Sequence, residues 1–288
     1  MGEISRISWT DATFNIAWGC TEVGPGCDFC YARELAARFG YKWGHGVPRR
    51  YFGDQHWNDP LRWNKKAKKA GKRMKVFCSS MADVFDIEID QSVRDRLWRL
   101  IEDTPWLDWQ LLTKRISNAG AMLPIRWGWY GNNCPKNIWL GITVVNQEEA
   151  NRDVPKLLRF HEFAIRWLSI EPQLEPVDLR TITTPDGDGP SSELIWIGVG
   201  GSIDWVVCGG ESGDCHVRSF DLSWARSLRD QCAAANVPFF MKQLGSQPKG
   251  FIRPYGKKAI YKWDEPEYWP ADFRVQEFPK KGFAPVAE

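Results

Sequence analysis

The chain has 288 residues, of which 43% are hydrophobic and 26% charged, and its formal net charge is +2. That balance excludes a disordered or collagen-like chain and leaves enough apolar material for a sizeable core in one large domain or two small ones. The near-neutral charge decides nothing about nucleic acid, because a local basic face can hide in a balanced total, and no run approaches the ~20 apolar residues that cross a bilayer.

The opening MGEISRISWTDATFN is polar and lacks the apolar heart of a signal peptide. The expectation is a cytoplasmic protein with no membrane contact, whose thiols stay reduced. TFNIAWGC predicts a first strand, and Tyr31–Phe39 a helix stopped by Gly40. Residues 41–72 interrupt the pattern with a basic, aromatic insertion. KVFCSSMADVFD opens as a strand and is followed by a helix over Asp90–Glu102, where Val93, Leu97, Leu100 and Ile101 recur at helical spacing. DWQLLTKR, NIWLGITVVN, AIRWLSIEP, DWVVCGGES and VPFFMKQLG predict five more strands, with helices near Gln147–Phe160 and Ser223–Ala235. TPDGDGPSSE reads as an exposed loop.

Strands alternating with helices predict a parallel (β/α) partial barrel over residues 1–245, with an irregular extension at 246–288 packed on it. Functional groups in such folds gather where strands end. Polar residues do fall there: Ser79, Ser80 and Asp83; Thr113 and Lys114; Thr143 and Asn146; Glu171; Glu211; Lys242 and Gln243. Polarity at strand ends also follows simply from the chain leaving a core, so position alone does not assign a role.

The sharpest local signal is GCTEVGPGCDFCYAR, which holds three of the 8 cysteines, Cys20, Cys27 and Cys30. The glycines and Pro25 let the backbone turn tightly around a bound object. Three thiolates suit a 4Fe–4S cluster with one iron left open. An open iron can chelate the amino and carboxylate groups of S-adenosylmethionine and pass an electron to its sulfonium, giving a 5′-deoxyadenosyl radical. Phe29 and Tyr31 would shield such a cluster from water. A zinc site completed by His45 and a chance group of buried thiols are the competing readings. Cys78, Cys208 and Cys232 read as core thiols, Cys134 and Cys215 as loop residues, the latter with an auxiliary role in view.

WTDATFNIAWGCTEVGPGCDFCYAR, SSMADVFD, LLTKR, WLGITVVNQ, LSIEPQLEPVDL, DWVVCGGESG and VPFFMKQLG occur in that order. Together they resemble a phage- and prophage-associated family named for its three-cysteine motif. More distantly, Asn15, Gly19, Cys20, Cys27, Cys30, Tyr31, Ala32, Arg33, Thr113 and Lys114 resemble the pattern of radical S-adenosylmethionine enzymes of the spore photoproduct lyase type. The C-x6-C-x2-C spacing is three residues longer than the common motif of those enzymes. The resemblance implies a 4Fe–4S cluster on Cys20, Cys27 and Cys30, bound S-adenosylmethionine, and an electron donor such as a flavodoxin or ferredoxin. By order along the chain, Ser79 and Ser80 take the place of the methionine-binding motif. Asp83, Thr143, Asn146 and Glu171 join them as cofactor-binding candidates. Gly209 and Gly210 would let backbone approach adenosine or substrate, or form a plain tight turn. Glu211, Lys242, Thr113 and Lys114 are the candidate catalytic set.

In residues 41–72, Arg49, Arg50 and several lysines interleave with Tyr41, Trp43, Tyr51, Phe52, Trp57 and Trp63. Cations that neutralise phosphates beside rings that stack on extruded bases are one reading; a solvated helix end is the other. The leading expectation is a radical enzyme that modifies or repairs a nucleic-acid base, with DNA favoured over RNA. A non-catalytic, metal-stabilised binding protein and a radical enzyme for a small molecule or peptide are the alternatives.

Overall fold

The computed structural model describes residues 3–127, 133–182, 203–213, 216–252 and 262–280. Seven strands form one sheet: β1 (Ala12–Thr13), β2 (Met74–Cys78), β3 (Leu107–Thr113), β4 (Ile138–Thr143), β5 (Ile165–Ile170), β6 (Trp205–Gly209) and β7 (Phe239–Gln243). Each lies beside the next in chain order, every pair is parallel, and the sheet curls into a half-barrel. β4 and β5 are buried at every position. This is why their sequences are nearly unbroken apolar runs, as in a sheet covered on both faces.

Helices α1 (Tyr31–Arg38), α2 (Asp59–Ala70), α3 (Gln91–Asp103), α4 (Ile116–Met122), α5 (Gln147–Leu158) and α6 (Leu222–Ala234) provide the crossovers. One face of the sheet packs with the apolar stripes of these helices, where Leu97, Ile101, Leu157 and Leu228 join Val76, Leu111, Leu140 and Val206 in one core. The other face is the inside of the curl. Its lower layer is aromatic: Trp9, Phe77, Trp139, Trp167, Trp205 and Phe240 form a second, compact cluster. Most of the tryptophans that stand out in the composition are therefore packing residues. Gly141 makes this layer fit, since a Cβ there would lie 2.3 Å from the Trp167 indole.

Side chains alternate along a strand, so residues two further on from the aromatic layer form the next layer up. Ser79 follows Phe77, Thr143 follows Gly141, Ser169 and Glu171 follow Trp167, and Lys242 follows Phe240. The half-barrel thus has a dry floor and a polar mouth.

One expectation needs correction. The first strand is only Ala12–Thr13, because the chain after Phe14 turns away to let the Asn15 amide accept from the Met81 backbone N–H at 2.7 Å. Within residues 41–72, α2 begins with Pro60 in its first turn, stops at left-handed Gly71, and buries Trp63 and Ala67. α4 was hidden in ISNAGAM, too short and glycine-containing for a clear helical period. The extension gives residues 275–277 to the free edge of β7, with Met241 donating to Val275 at 2.8 Å and Glu277 to Phe239 at 3.0 Å. Edge cover of this kind blocks pairing with another chain. The Thr184–Glu193 loop and Cys215 lie outside the described residues.

Candidate active site

Cys20, Cys27 and Cys30 are free thiols, half-buried, on the loop between β1 and α1. All three line one cavity of about 740 Å³ at the carboxyl ends of the strands. The loop is built to lie flat against its neighbours. Gly19 has φ +121° and packs so closely that a Cβ would lie 2.8 Å from Arg49 Cδ. Gly26 would put a Cβ 2.9 Å from Val145 Cγ1. Cys30 caps α1, whose N-terminal N–H groups place partial positive charge beside that thiol.

Two arginines hold the loop from opposite sides. Arg115 donates to Asp83 Oδ2 at 3.0 Å and to the Thr21 carbonyl, and its Nη1 lies 3.5 Å from Cys20 Sγ. Burial pushes the Cys20 thiol up to about 12, while the Arg115 charge pulls the other way. Arg218 donates to Asp28 at 2.9 Å and to the Pro25 carbonyl at 2.8 Å, and its guanidinium lies 5.2 Å from the Phe29 ring centroid. Its remaining donors go to Glu211, at 2.5 and 3.1 Å. Behind the loop, fully buried Arg49 pairs with Asp86 at 2.9 Å and Glu88 at 3.0 Å and donates to Thr21 at 2.7 Å.

The cavity collects most of the expected strand-end residues: Ser79, Ser80, Asp83, Thr113, Lys114, Thr143, Glu171, Gly210, Glu211, Lys242 and Gln243 all line it. Their states differ. The Thr113 hydroxyl donates to Asp83, whose carboxylate also accepts from the Lys114 N–H and Arg115, so Asp83 and Thr113 brace one another. Glu211 is spent on Arg218. Lys242 is paired with Glu171. Lys114 lines the cavity, close enough to Glu149 for its charge to act on that carboxyl. Ser80 accepts from the Asn15 amide at 3.0 Å, and its carbonyl accepts from the Tyr31 hydroxyl at 2.8 Å.

Two expected residues are elsewhere. The Asn146 side chain accepts from Glu149 N at 2.9 Å and caps α5, so its oxygen serves a helix rather than the cavity. Gly209 is buried in β6, where it accommodates Gln243, whose Cγ would lie 3.3 Å from an added Cβ. Gly210 is the glycine at the mouth, closed in by the Leu244 carbonyl and Phe220. Arg49 is also placed differently from its reading as a phosphate grip. Its guanidinium is sealed in by carboxylates, and only Arg50 of the pair faces solvent. Arg115, Ser169 and Arg218 were missed. Arg115 follows Thr113 and Lys114 directly and could have been found as a third strand-end polar residue. Arg218 gives no local signal, since its role depends on a contact across 190 residues.

Among the described residues no group of three or more His, Cys, Asp or Glu side chains is gathered for a single metal ion. His45, the fourth ligand of the zinc reading, is exposed and turned to Glu88 at 2.6 Å. Thiolates on one tetrahedral zinc would stand roughly 4 Å apart, twice the metal–sulfur reach at most. Thiolates on a cuboidal cluster each take their own iron and stand farther apart. Three thiols spread around one cavity, with cations and helix N–H groups beside them, are a donor set that suits the second arrangement.

Residues 4–270 match the family described as "Protein of unknown function (DUF5131)", and the chain belongs to that family. None of the curated proteins compared matches it. Among solved structures, the chain is similar to a spore photoproduct lyase cysteine mutant, with 11% identity and a TM-score of 0.45 over 92% of this chain and 71% of that one. It is also similar to a spore photoproduct lyase double mutant with bound AdoMet and dinucleoside spore photoproduct, with 10% identity and a TM-score of 0.42 over 88% and 68% of the two chains. No described helix is long and apolar enough to cross a membrane.

Proposed function

We propose that this member of the family is a radical S-adenosylmethionine enzyme that holds a 4Fe–4S cluster on Cys20, Cys27 and Cys30 and acts on a nucleic-acid base, DNA in preference to RNA. The observation that carries the reading is the convergence of three free thiols and the polar layer of the half-barrel on one cavity of about 740 Å³. That volume is in the range of sites for nucleoside-sized ligands. When bound, the cluster supplies an electron that cleaves the sulfonium of S-adenosylmethionine, with a flavodoxin or ferredoxin as the donor.

The chain's own residues divide the remaining work. Arg115 and Arg218 fix the thiol loop, and Arg115 sets positive charge against the Cys20 sulfur. Ser79 and Ser80 offer hydroxyl and carbonyl oxygens to an ammonium, and Thr143 and Ser169 offer hydroxyls to carboxylate or ribose. The Lys242–Glu171 pair presents both charges to a zwitterion. Lys114, on the cavity wall, is left to meet the substrate. The aromatic floor excludes water beneath the reacting groups. The motif residues Asn15 and Gly19 support the same reading through their roles in anchoring the loop.

The test is metal content and absorption of protein purified and reconstituted without oxygen. The expected result is close to four irons per chain, lost in Cys20→Ala, Cys27→Ala and Cys30→Ala, and reductive cleavage of S-adenosylmethionine by the loaded protein. Stoichiometric zinc with no iron would overturn it.

A further inference from the structure

A second, smaller hollow of about 190 Å³ lies beside the cysteine loop, walled by Trp18, Tyr41, Trp43, Pro48 and Arg50. Cavities of ~150 Å³ accept a single benzene ring, so this one has room for one flat ring system and little more. The walls are rings and a planar cation. Trp18 and Tyr41 stand edge to face, centroids 5.7 Å apart at 84°. The Arg50 guanidinium lies 4.6 Å from the Tyr41 centroid and 5.4 Å from that of Trp18. Trp18 Nε1 is buried and has no hydrogen-bond partner. A buried donor of this kind is costly unless something polar meets it.

The rim adds charge. Among the described residues Lys42 and Arg50, which line it, make no ion pair, whereas Arg62, Arg96 and Arg126 are each paired with a carboxylate. Apolar rings are unusually open here, with Phe39 62% and Tyr41 39% exposed. Trp18 and Trp43 also line the large cavity, so the two spaces share walls.

We infer that the hollow is a stacking subsite for a nucleobase adjacent to the one that reacts, on an unpaired strand whose phosphate is met by Arg50 and Lys42. The inference rests on the nucleic-acid reading above and specifies where the strand lies. A flat heteroaromatic ring fits between the rings of the hollow, and a phosphate on its backbone fits the cations at its rim. With one base over the thiols and its neighbour in the hollow, the shared wall sets the step between them.

The test uses the full chain, a labelled ten-nucleotide deoxythymidine strand and an equal-length strand of abasic tetrahydrofuran sites, read by fluorescence anisotropy at several salt concentrations. Tyr41→Ala should weaken binding of the base-bearing strand about 5- to 100-fold and leave the abasic strand unchanged, while Tyr41→Phe keeps both. The kept abasic affinity guards against a variant that merely fails to fold. Arg50→Ala should weaken both strands and reduce the salt slope by about 1, with Arg50→Lys restoring it. Wild-type protein that binds the two strands equally, or Tyr41→Ala that affects both alike, overturns the subsite alone. Wild-type protein that binds neither strand overturns the nucleic-acid reading with it.

Discussion

Arg218 and Glu211 form a two-point ion pair, Nη2 on Oε1 at 2.5 Å and Nε on Oε2 at 3.1 Å, and the same guanidinium reaches across to Asp28 and Pro25 of the cysteine loop. The segment after β6 therefore grips the early thiol loop through one side chain. Arg218→Ala strips the buried Glu211 carboxylate of its partner and should cost about 3 kcal/mol of stability. It should also speed iron loss to a chelator in the reconstituted protein. Arg218→Lys keeps the charge but not the fork, so it should fall between the two. Lower stability with unchanged iron retention would confine Arg218 to the fold.

Arg49 is the hub of a sealed cluster, with its side chain fully buried against Asp86 and Glu88. Arg49→Ala leaves buried Asp86 with only the longer contact to Arg115, at 3.8 Å, and should destabilise the protein by about 3 kcal/mol, seen as a lower denaturant midpoint. Arg50→Ala, at an exposed neighbour whose guanidinium lies over Tyr41 and Trp18, should cost no more than about 1 kcal/mol. Equal midpoints for the two variants would contradict the assignment.

Gly141→Ala drives a methyl into the Trp167 indole. Overpacking of this kind costs roughly 1–3 kcal/mol or more. Combining it with Trp167→Leu should recover part of the loss, so the double variant is more stable than the sum of the singles. Strict additivity would mean that the aromatic floor yields to the methyl without strain.

Thr143→Ala and Glu171→Ala should weaken S-adenosylmethionine binding while iron content stays intact, each by roughly 0.5–3 kcal/mol, the range for single polar contacts. Calorimetry on the anaerobic protein measures this. Glu171→Ala also frees Lys242 from its partner. A loss of iron in either variant would move these residues from the cofactor wall to the support of the thiol loop.

Cys78 and Cys208 are fully buried, and burial alone pushes the Cys78 thiol up to about 12. Neither lines the cavity that Cys20, Cys27 and Cys30 share, so neither reaches a metal held there. Cys78→Ala and Cys208→Ala should keep the full iron complement, with a small stability loss as the only change.

The sheet was legible because β3 to β7 are runs too apolar and too short for anything but buried strands, with helical periods between them. The strand-end residues followed from that reading without further information. What stayed hidden depends on contacts rather than pattern. Asn146 looks like any polar residue after a strand until the helix behind it claims its oxygen. Arg49 and Arg50 are adjacent letters with opposite fates, since the turn at Gly19 leaves room for one guanidinium to pass inward. Glu211 looked free because Arg218 lies beyond the end of its strand.

The sheet's sequential order also sets a timetable. As the chain leaves the ribosome, β2 onwards can each pair with the strand made just before, a route of short closures. The thiol loop emerges early, but its clamp from Arg218 lies 190 residues downstream of Asp28. At ordinary synthesis rates that is a wait of roughly 10–40 s. During that interval the three thiols are attached to a nascent protein whose pocket has no far wall, and only completion of β6 and the segment after it brings Arg218 onto the loop.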